Sequence, residues 1–205
     1  MSKTLWIVLV MSALYALFLL WYGGRGKPLS QAEILDFERV LGQLSRDTQG
    51  QSTPDLVRQF AAKDDGREFV MHNLVRYRAK ALYPPGHTYG DSARAADKRY
   101  GRAVLWPLLR CGAVPIFLAK CAGRFIEPEG APAWHYVAMV RYRSRRDFLR
   151  FAVAIESQAI AIHKWAAIEE THITPLQPLA SLIFVRAAAG AVFALFGFVL
   201  ILLCA

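Results

Sequence analysis

Residues 68–78 read EFVMHNLVRYR, and the pattern of this stretch predicts a β-strand. Successive side chains of a strand point to opposite faces of its sheet. The alternation therefore sorts the stretch into two sets, Val70, His72, Leu74 and Arg76 on one face and Phe69, Met71, Asn73, Val75 and Tyr77 on the other. His72 and Asn73 fall in different sets, so only one of them can face a given pocket.

The segments after this strand predict a mixed α+β domain. A Pro/Gly-rich loop over 83–91 comes first, because YPPGHTYGD cannot form a regular element. The further predicted elements are a helix over 92–110 with a kink or early stop at Pro107, strands over 114–125 and 133–143, a helix over 144–169 and a short strand over 171–174. The order β, α, β, β, α, β is that of a ferredoxin-like fold.

Two helices are predicted ahead of the strand. Ser30 and Glu33 have the spacing of a capping box, and an amphipathic stripe follows over 31–45. Thr53 and Pro54 then have the pattern of a cap followed by proline at the first helical position. These segments add a helical extension to the predicted domain.

Uncharged apolar segments lie at both ends of the chain. Residues 5–22 read LWIVLVMSALYALFLLWY, and residues 187–205 read AAAGAVFALFGFVLILLCA. A helix rises about 1.5 Å per residue, so each segment can cross a hydrocarbon core of roughly 30 Å. The predicted organisation is a transmembrane helix over 1–22, a linker and amphipathic helices over 23–66, the ferredoxin-like domain over 67–176, and a second transmembrane helix over 177–205.

The formal charge of +9 lies almost wholly between the two spans, where basic and acidic residues are mixed. Because the basic residues form no block, the sequence argues against nucleic-acid binding and favours a domain beside anionic lipid. Arg25, Lys27 and Arg186 flank the spans on the domain side, against Lys3 on the other. The positive-inside rule then predicts a bacterial-type inner-membrane protein with two spans, a cytoplasmic domain and both termini outside.

A family resemblance rests on four stretches, FVMHNLVRY (69–77), YGRAV through PLL (100–109), VRY with SR and DFL (140–149), and HK with AA (163–167). Over about 68–175 the chain resembles the domain-of-unknown-function-1330 family of the dimeric α/β-barrel superfamily. The resemblance implies a homodimer that pairs sheet to sheet, with any pocket between sheet and helices. The superfamily includes haem peroxidases, cofactor-free monooxygenases, isomerases and ligand binders. Gly112-Ala113 and His72 depart from the family pattern.

Five residues are candidates for a pocket: His72, Asn73, Tyr83, His87 and Tyr100. His72 could act as a base or a haem ligand, or form hydrogen bonds in a barrel interface. Asn73 could bind a ligand's polar group. Tyr83 and His87 lie in a loop that caps a pocket or is a solvent-exposed connector, and Tyr100 could orient a polar ligand or pack in the core.

No cofactor or metal site is predicted from the sequence. The spacing of His163, Glu169, Glu170 and His172 matches no zinc or iron pattern, and the three cysteines form no C-x-x-C pair. G-x-S-x-G, P-loop, G-x-G-x-x-G and H-E-x-x-H motifs do not occur in the sequence, which argues against hydrolase, nucleotide-binding and zinc-protease classes. Haem binding is an alternative that only the family resemblance supports.

Small residues in the second span, Gly190, Ala194 and Gly197, are spaced for close helix packing against the first span or a partner. A lipid-facing role is the alternative for this stripe.

Three functions fit the sequence. The first is a membrane-anchored accessory or assembly module that binds a protein partner or complex at the membrane surface. The second is a cofactor-free monooxygenase or isomerase acting on a lipophilic aromatic or quinone-like small molecule. The third is a haem or lipid binder without turnover. A sheet-to-helix gap filled by side chains would exclude the second and third, and an open pocket there would favour them.

Overall fold

The structure is a computed structural model, and it describes residues 2–24, 26–48, 54–126, 128–180 and 184–204. The chain forms two compact units, one of Met1–Gly23 with Pro178–Ala205 and one of Gly24–Gln177. The described residues contain seven helices and one sheet, with bounds α1 Lys3–Tyr22, α2 Gln31–Thr48, α3 Pro54–Ala62, β1 Phe69–Tyr77, α4 Ala93–Arg110, β2 Val114–Lys120, β3 Tyr136–Tyr142, α5 Arg145–Ser157, α6 Ala161–Ala167, β4 Ile168–Leu176 and α7 Val185–Cys204.

The first unit contains the two apolar helices, α1 and α7, which contact each other. Both are long and apolar enough to cross a membrane. The hydroxyl of Ser2 accepts a hydrogen bond from the backbone N–H of Leu5 at 3.2 Å and thereby caps α1. The prediction of two terminal apolar helices is confirmed, and each helix begins two residues before the uncharged segment (5–22 or 187–205) on which the prediction rests.

The second unit is built on a four-stranded antiparallel sheet in the order β2-β3-β1-β4. The mixed α+β class predicted from the sequence is confirmed. In the central strand β1, Asn73 lies opposite Ala138 of β3 and Ile173 of β4. Phe69, Met71 and Val75 are buried beneath the helices, so the odd-numbered set of β1 is the helix-facing one. Strands β2 and β3 are shorter than predicted, and β4 is longer.

Helix α4 begins as the sequence predicts but does not stop at Pro107. Ser92 caps its first turn through a hydrogen bond from the Ala95 N–H at 3.3 Å. Pro107 is buried within the helix, which continues to Arg110, so the predicted end of the helix is confirmed and the alternative of an early stop at Pro107 is wrong. Packing on the core outweighs the lost backbone hydrogen bond. The chain then turns through Gly112 at φ +64°, a conformation that glycine adopts at little cost.

The single helix predicted over 144–169 is wrong, because two helices and the start of a strand occupy that range. The hydroxyl of Ser144 accepts a hydrogen bond from the Asp147 N–H at 3.2 Å and thereby caps α5. The break after α5 falls at Ala159, the one non-glycine residue with positive φ among those described. The Ile160 N–H there bonds to the Ile155 carbonyl at 2.9 Å. Since neither proline nor glycine lies at the break, the sequence carries no signal for it.

Helices α2 and α3 form a further layer behind α5. This layer closes around five buried side chains, Ile34, Leu41, Val57, Ala61 and Leu149. The predicted capping box of α2 is confirmed, since the Ser30 N–H donates to Glu33 at 2.9 Å and the Glu33 N–H donates to the Ser30 hydroxyl at 3.3 Å. The predicted cap at Thr53 lies outside the described residues.

Candidate functional site

A cavity of about 610 Å³ lies between the sheet and the helices α4, α5 and α6. Its walls are mostly apolar and include Met71, Val75, Val104, Leu108, Ala138 and Ile155. Ligand sites of proteins typically have volumes of roughly 300–1,000 Å³ with apolar walls and a few polar groups. Both the size and the lining of this cavity fit that description.

One polar group of the cavity is centred on Asp97 of α4. Its carboxylate accepts hydrogen bonds from the Tyr77 hydroxyl at 2.8 Å and the Tyr136 hydroxyl at 3.1 Å. Burial, and then the nearby Asp97 carboxylate, raise the pKa of both phenols above the usual value. The two tyrosines therefore stay protonated at neutral pH and hold Asp97 in place as donors.

A second polar group lies where α6 meets α4. The ammonium of Lys164 lies over the rings of Trp165 at 4.9 Å and Tyr100 at 5.9 Å from their centroids. Burial lowers the pKa of Lys164 to about 8, although Glu156 and Asp97 act in the opposite direction. The cavity is lined by all five of these residues, Lys164, Trp165, Tyr100, Glu156 and Asp97. Burial also raises the pKa of Tyr100, so its hydroxyl remains a donor.

Asn73 faces this same cavity, on the helix side of β1. Its side-chain N–H₂ donates to the Met71 carbonyl at 3.1 Å and to the Ala138 carbonyl at 3.3 Å. These bonds fix the amide against the sheet. Of the five predicted pocket residues, Asn73 and Tyr100 line the cavity.

His72 lies on the opposite face of the sheet. It pairs with Met139 of β3 and Thr174 of β4, and it is partly buried. Since α2 and α3 pack behind α5, no helix among the described residues of the Gly24–Gln177 unit packs on that face. His72 is therefore placed at a sheet surface and not in the cavity.

Tyr83 and His87 belong to an aromatic cluster outside the cavity lining. The Tyr83 hydroxyl and Nδ1 of His163 are 2.9 Å apart. The rings of His87 and Tyr89 stack with centroids 5.7 Å apart, and Tyr89 meets His163 edge to face at 4.9 Å. Burial and then Arg99 lower the pKa of His163. The cluster ties the Pro/Gly-rich loop to α6.

In the unit of α1 and α7, the small residues of α7 face α1. A side chain at Gly190 would lie 3.1 Å from the Tyr15 ring, and one at Gly197 would lie 3.1 Å from Met11. Ala194 lines a groove of about 380 Å³ between the two helices. The Tyr15 hydroxyl also donates to the carbonyl of Arg186 at 3.0 Å.

No set of three His, Cys, Asp or Glu side chains is placed to hold a metal ion within the described ranges. His172 instead meets the ring of Trp134 at 4.7 Å and approaches Glu170 at 3.6 Å on the exposed strand β4.

Sequence reasoning missed Asp97, Lys164 and Trp165 as cavity residues. Lys164 is a charged residue in the mostly apolar stretch AIHKWAA, which was a usable signal. The prediction of one unbroken helix over 144–169 obscured this signal, because an unbroken helix would point Lys164 in a different direction from the one it has in α6. Tyr77 shares a face of β1 with Asn73, so alternation alone could have placed it in the pocket.

Solved structures that are similar to this chain include two of a protein of unknown function from Rhodopseudomonas palustris, RPA0582. Its crystal structure has 27% sequence identity and a TM-score of 0.57, and the match covers 64% of this chain and 97% of that one. The structure of its methylated form has 26% identity and a TM-score of 0.58 over 64% and 96% of the two chains. No protein-family model and no curated protein matches. About a third of this chain thus has no counterpart in RPA0582.

Proposed function

We propose that this chain binds a lipophilic small molecule in the cavity between sheet and helices, and that α1 and α7 hold it at a membrane. The cavity of about 610 Å³ is the observation that carries the proposal. An empty apolar space of this size costs a folded domain contact energy that close packing would supply. An apolar ligand would restore those contacts.

The membrane placement is supported by the surfaces of α1 and α7. Large apolar side chains such as Leu20 and Phe196 are 77% and 62% exposed. Lipid chains would cover such side chains. With Lys27 and Arg186 on the domain side, the positive-inside rule supports an inner-membrane protein with a cytoplasmic domain and both termini outside. A ligand dissolved in the bilayer would then be close to its site.

The proposed protomer is ferredoxin-like and related to the domain-of-unknown-function-1330 family. The strand order β2-β3-β1-β4 supports this assignment. Pairing with a second copy through the sheet is part of the proposal. It is supported by partly exposed apolar residues, Leu74, Val137 and Met139, on the face that carries His72. Light scattering on the detergent-solubilised full chain would give the mass of two copies, and Leu74→Glu would give one.

An accessory role with a protein partner at the membrane surface remains a prediction of the sequence. The same outer sheet face could serve it. The cavity instead favours a ligand binder, because the gap between sheet and helices is not filled by side chains. Chemical turnover of the ligand, by a cofactor-free monooxygenase or isomerase, also remains a prediction of the sequence.

Native mass spectrometry of the full chain, purified in mild detergent, tests the binding proposal. Wild type is expected to carry a bound mass of small-molecule size, released in organic solvent. Ala138→Phe adds an aromatic ring to the cavity wall and should remove that mass. Leu56→Phe, at an exposed residue of α3 that does not line the cavity, should retain it. Equal occupancy in all three proteins would contradict the proposal.

Reporter fusions test the orientation. Alkaline phosphatase fused after α7 should be active, because only exported phosphatase folds. Green fluorescent protein fused at the same point should be dark, since the same fusion would lie outside. The reverse pattern would invert the proposed orientation.

A further inference from the structure

We propose that the Lys164 end of the cavity binds the carboxylate of an acidic amphiphile whose hydrocarbon body fills the apolar remainder. This inference rests on the proposed function, since it requires that the cavity hold a ligand. It adds the chemical class of that ligand and the residue that recognises its head.

Three of the residues that line the cavity carry hydrogen-bond donors, namely the ammonium of Lys164, the hydroxyl of Tyr100 and the indole N–H of Trp165. The indole N–H is fully buried and has no acceptor among the described residues. A buried donor without a partner is costly, so native proteins satisfy nearly all of them. In the part of the chain that the structure describes, the Tyr100 hydroxyl and the Lys164 ammonium also make no hydrogen bond to protein. A ligand head that only accepts hydrogen bonds would satisfy the Lys164 ammonium and the Tyr100 hydroxyl, and a shift of the Trp165 ring would bring the indole N–H within reach of the same head.

The carboxylates nearby do not take this role. Asp97 is held by the hydroxyls of Tyr77 and Tyr136. Glu156 lines the cavity from α5 and acts on Lys164 at a distance. No salt bridge to Lys164 is formed within the described ranges, and its charge meets only the ring faces of Tyr100 and Trp165. The ammonium is thus a charge in an apolar space without a contacting counter-ion.

A carboxylate supplies the missing counter-ion and accepts up to four hydrogen bonds on its two oxygens. Charge-assisted hydrogen bonds are about twice as strong as neutral ones, and more so away from water. A neutral ester or alcohol would leave the ammonium without a counter-ion. The apolar walls beyond Lys164 exclude a ligand that is charged along its length and favour a hydrocarbon body.

The probes for the test are palmitic acid and methyl palmitate, added to the delipidated full chain in detergent and read by native mass spectrometry. In wild type the acid should bind at least ten times more tightly than the ester. Lys164→Met should bring the ratio of affinities close to one while ester binding persists, which also shows that the cavity is intact. Lys98→Met, at an exposed lysine of α4, should behave as wild type. Lys164→Gln serves as a second, polar variant.

The pH dependence gives an independent readout. Below its pKa of about 8 Lys164 is charged, and it loses this charge as the pH rises. The ratio of acid affinities between wild type and Lys164→Met should therefore fall between pH 7 and pH 10, and taking this ratio cancels the ionisation of the ligand. The groups that face Lys164 are Tyr100 and Asp97 from α4 and Glu156 from α5. Burial keeps Tyr100 neutral over most of this range.

The outcomes separate this inference from the proposed function. Equal binding of acid and ester in wild type, with both lost in Ala138→Phe, would overturn the carboxylate assignment and leave the cavity as a ligand site. Binding that Ala138→Phe does not reduce would overturn the proposed function itself.

Discussion

Two apolar layers of the Gly24–Gln177 unit are packed in different ways. Between α5 and the pair α2 and α3, Leu41 and Leu149 are each 1% exposed and the space is closed. Between the sheet and α4 and α6, similar residue types surround about 610 Å³ of open volume. The side chains of the closed layer therefore pack without a space of this size, whereas those of the open layer do not. The open layer is also the one lined by Lys164, Tyr100 and Trp165.

The largest expected effect tests the closed layer. Leu149→Ala should lower the free energy of unfolding by about 3 kcal/mol, because it leaves a cavity in a region that cannot collapse. Leu105→Ala, at the cavity wall where the side chain is 48% exposed, should cost less than about 1 kcal/mol. Thermal unfolding of the full chain in detergent, followed by near-ultraviolet circular dichroism, measures both. Equal losses would show that the two layers do not differ.

The reverse experiment adds volume instead of removing it. Ala61→Phe inserts a ring into the closed layer and should cost about 2 kcal/mol or more through overpacking. Ala138→Phe inserts the same ring beside the open volume and should cost less than about 1 kcal/mol. The same unfolding measurement decides the comparison. A large loss in Ala138→Phe would mean that the cavity wall is as tightly packed as the closed layer.

Gly112 follows α4, a helix that forms part of the cavity wall, and it allows a further test of the comparison between the two layers. Gly112→Ala should cost about 1–2 kcal/mol, because φ is +64° and the new methyl group would meet the guanidinium of Arg143. Arg143 is itself held by Asp147 at 3.0 Å. Gly101→Ala, in open space within the same helix, should instead gain about 0.5–1 kcal/mol. Urea denaturation resolves the opposite signs, and a loss at both positions would contradict this account.

The smallest effect concerns the charged edge of the closed layer. Arg146 donates to Glu33 at 2.8 Å, and this bond followed by that from the Ser30 N–H lowers the pKa of Glu33 to about 2. A lowered folded-state pKa adds stability above the unfolded value, here 4.5, that is lost as the pH falls toward 2. Because Glu33 is 40% exposed, solvent screening limits the effect of Glu33→Gln to less than about 1 kcal/mol at pH 7.

That small difference should shrink toward zero when unfolding is measured near pH 2. Asp36→Asn, at an exposed carboxylate of the same helix that pairs with Arg39, should change stability little at either pH. A pH-independent effect of Glu33→Gln would show that its ion pair contributes nothing.

Local patterns predicted much of this fold, because the responsible interactions span a few residues. Alternation placed β1, the capping box of Ser30 and Glu33 marked the start of α2, and the starts of α4 and α5 were predicted to within one residue. The break at Ala159 could not be predicted, since it depends on how α6 packs after the chain has folded. The cavity residues likewise divide into those that local patterns predicted and those that depend on packing in the folded chain. Asn73 and Tyr100 were found on regular elements, whereas Lys164 depends on the break.

The three residues between α5 and α6 form a joint whose length matters both for comparing related chains and for designing variants. The joint sets the residue at which α6 begins, and each shift of that start by one residue turns Lys164 by about 100° around the helix axis. Deleting Gln158 would therefore turn Lys164 away from the cavity without changing any residue that lines it. Among related chains, the length of this joint would then indicate whether the proposed head-group site is kept better than the presence of the lysine does. In a designed variant, changing the length of the joint would select which face of α6 lines the cavity.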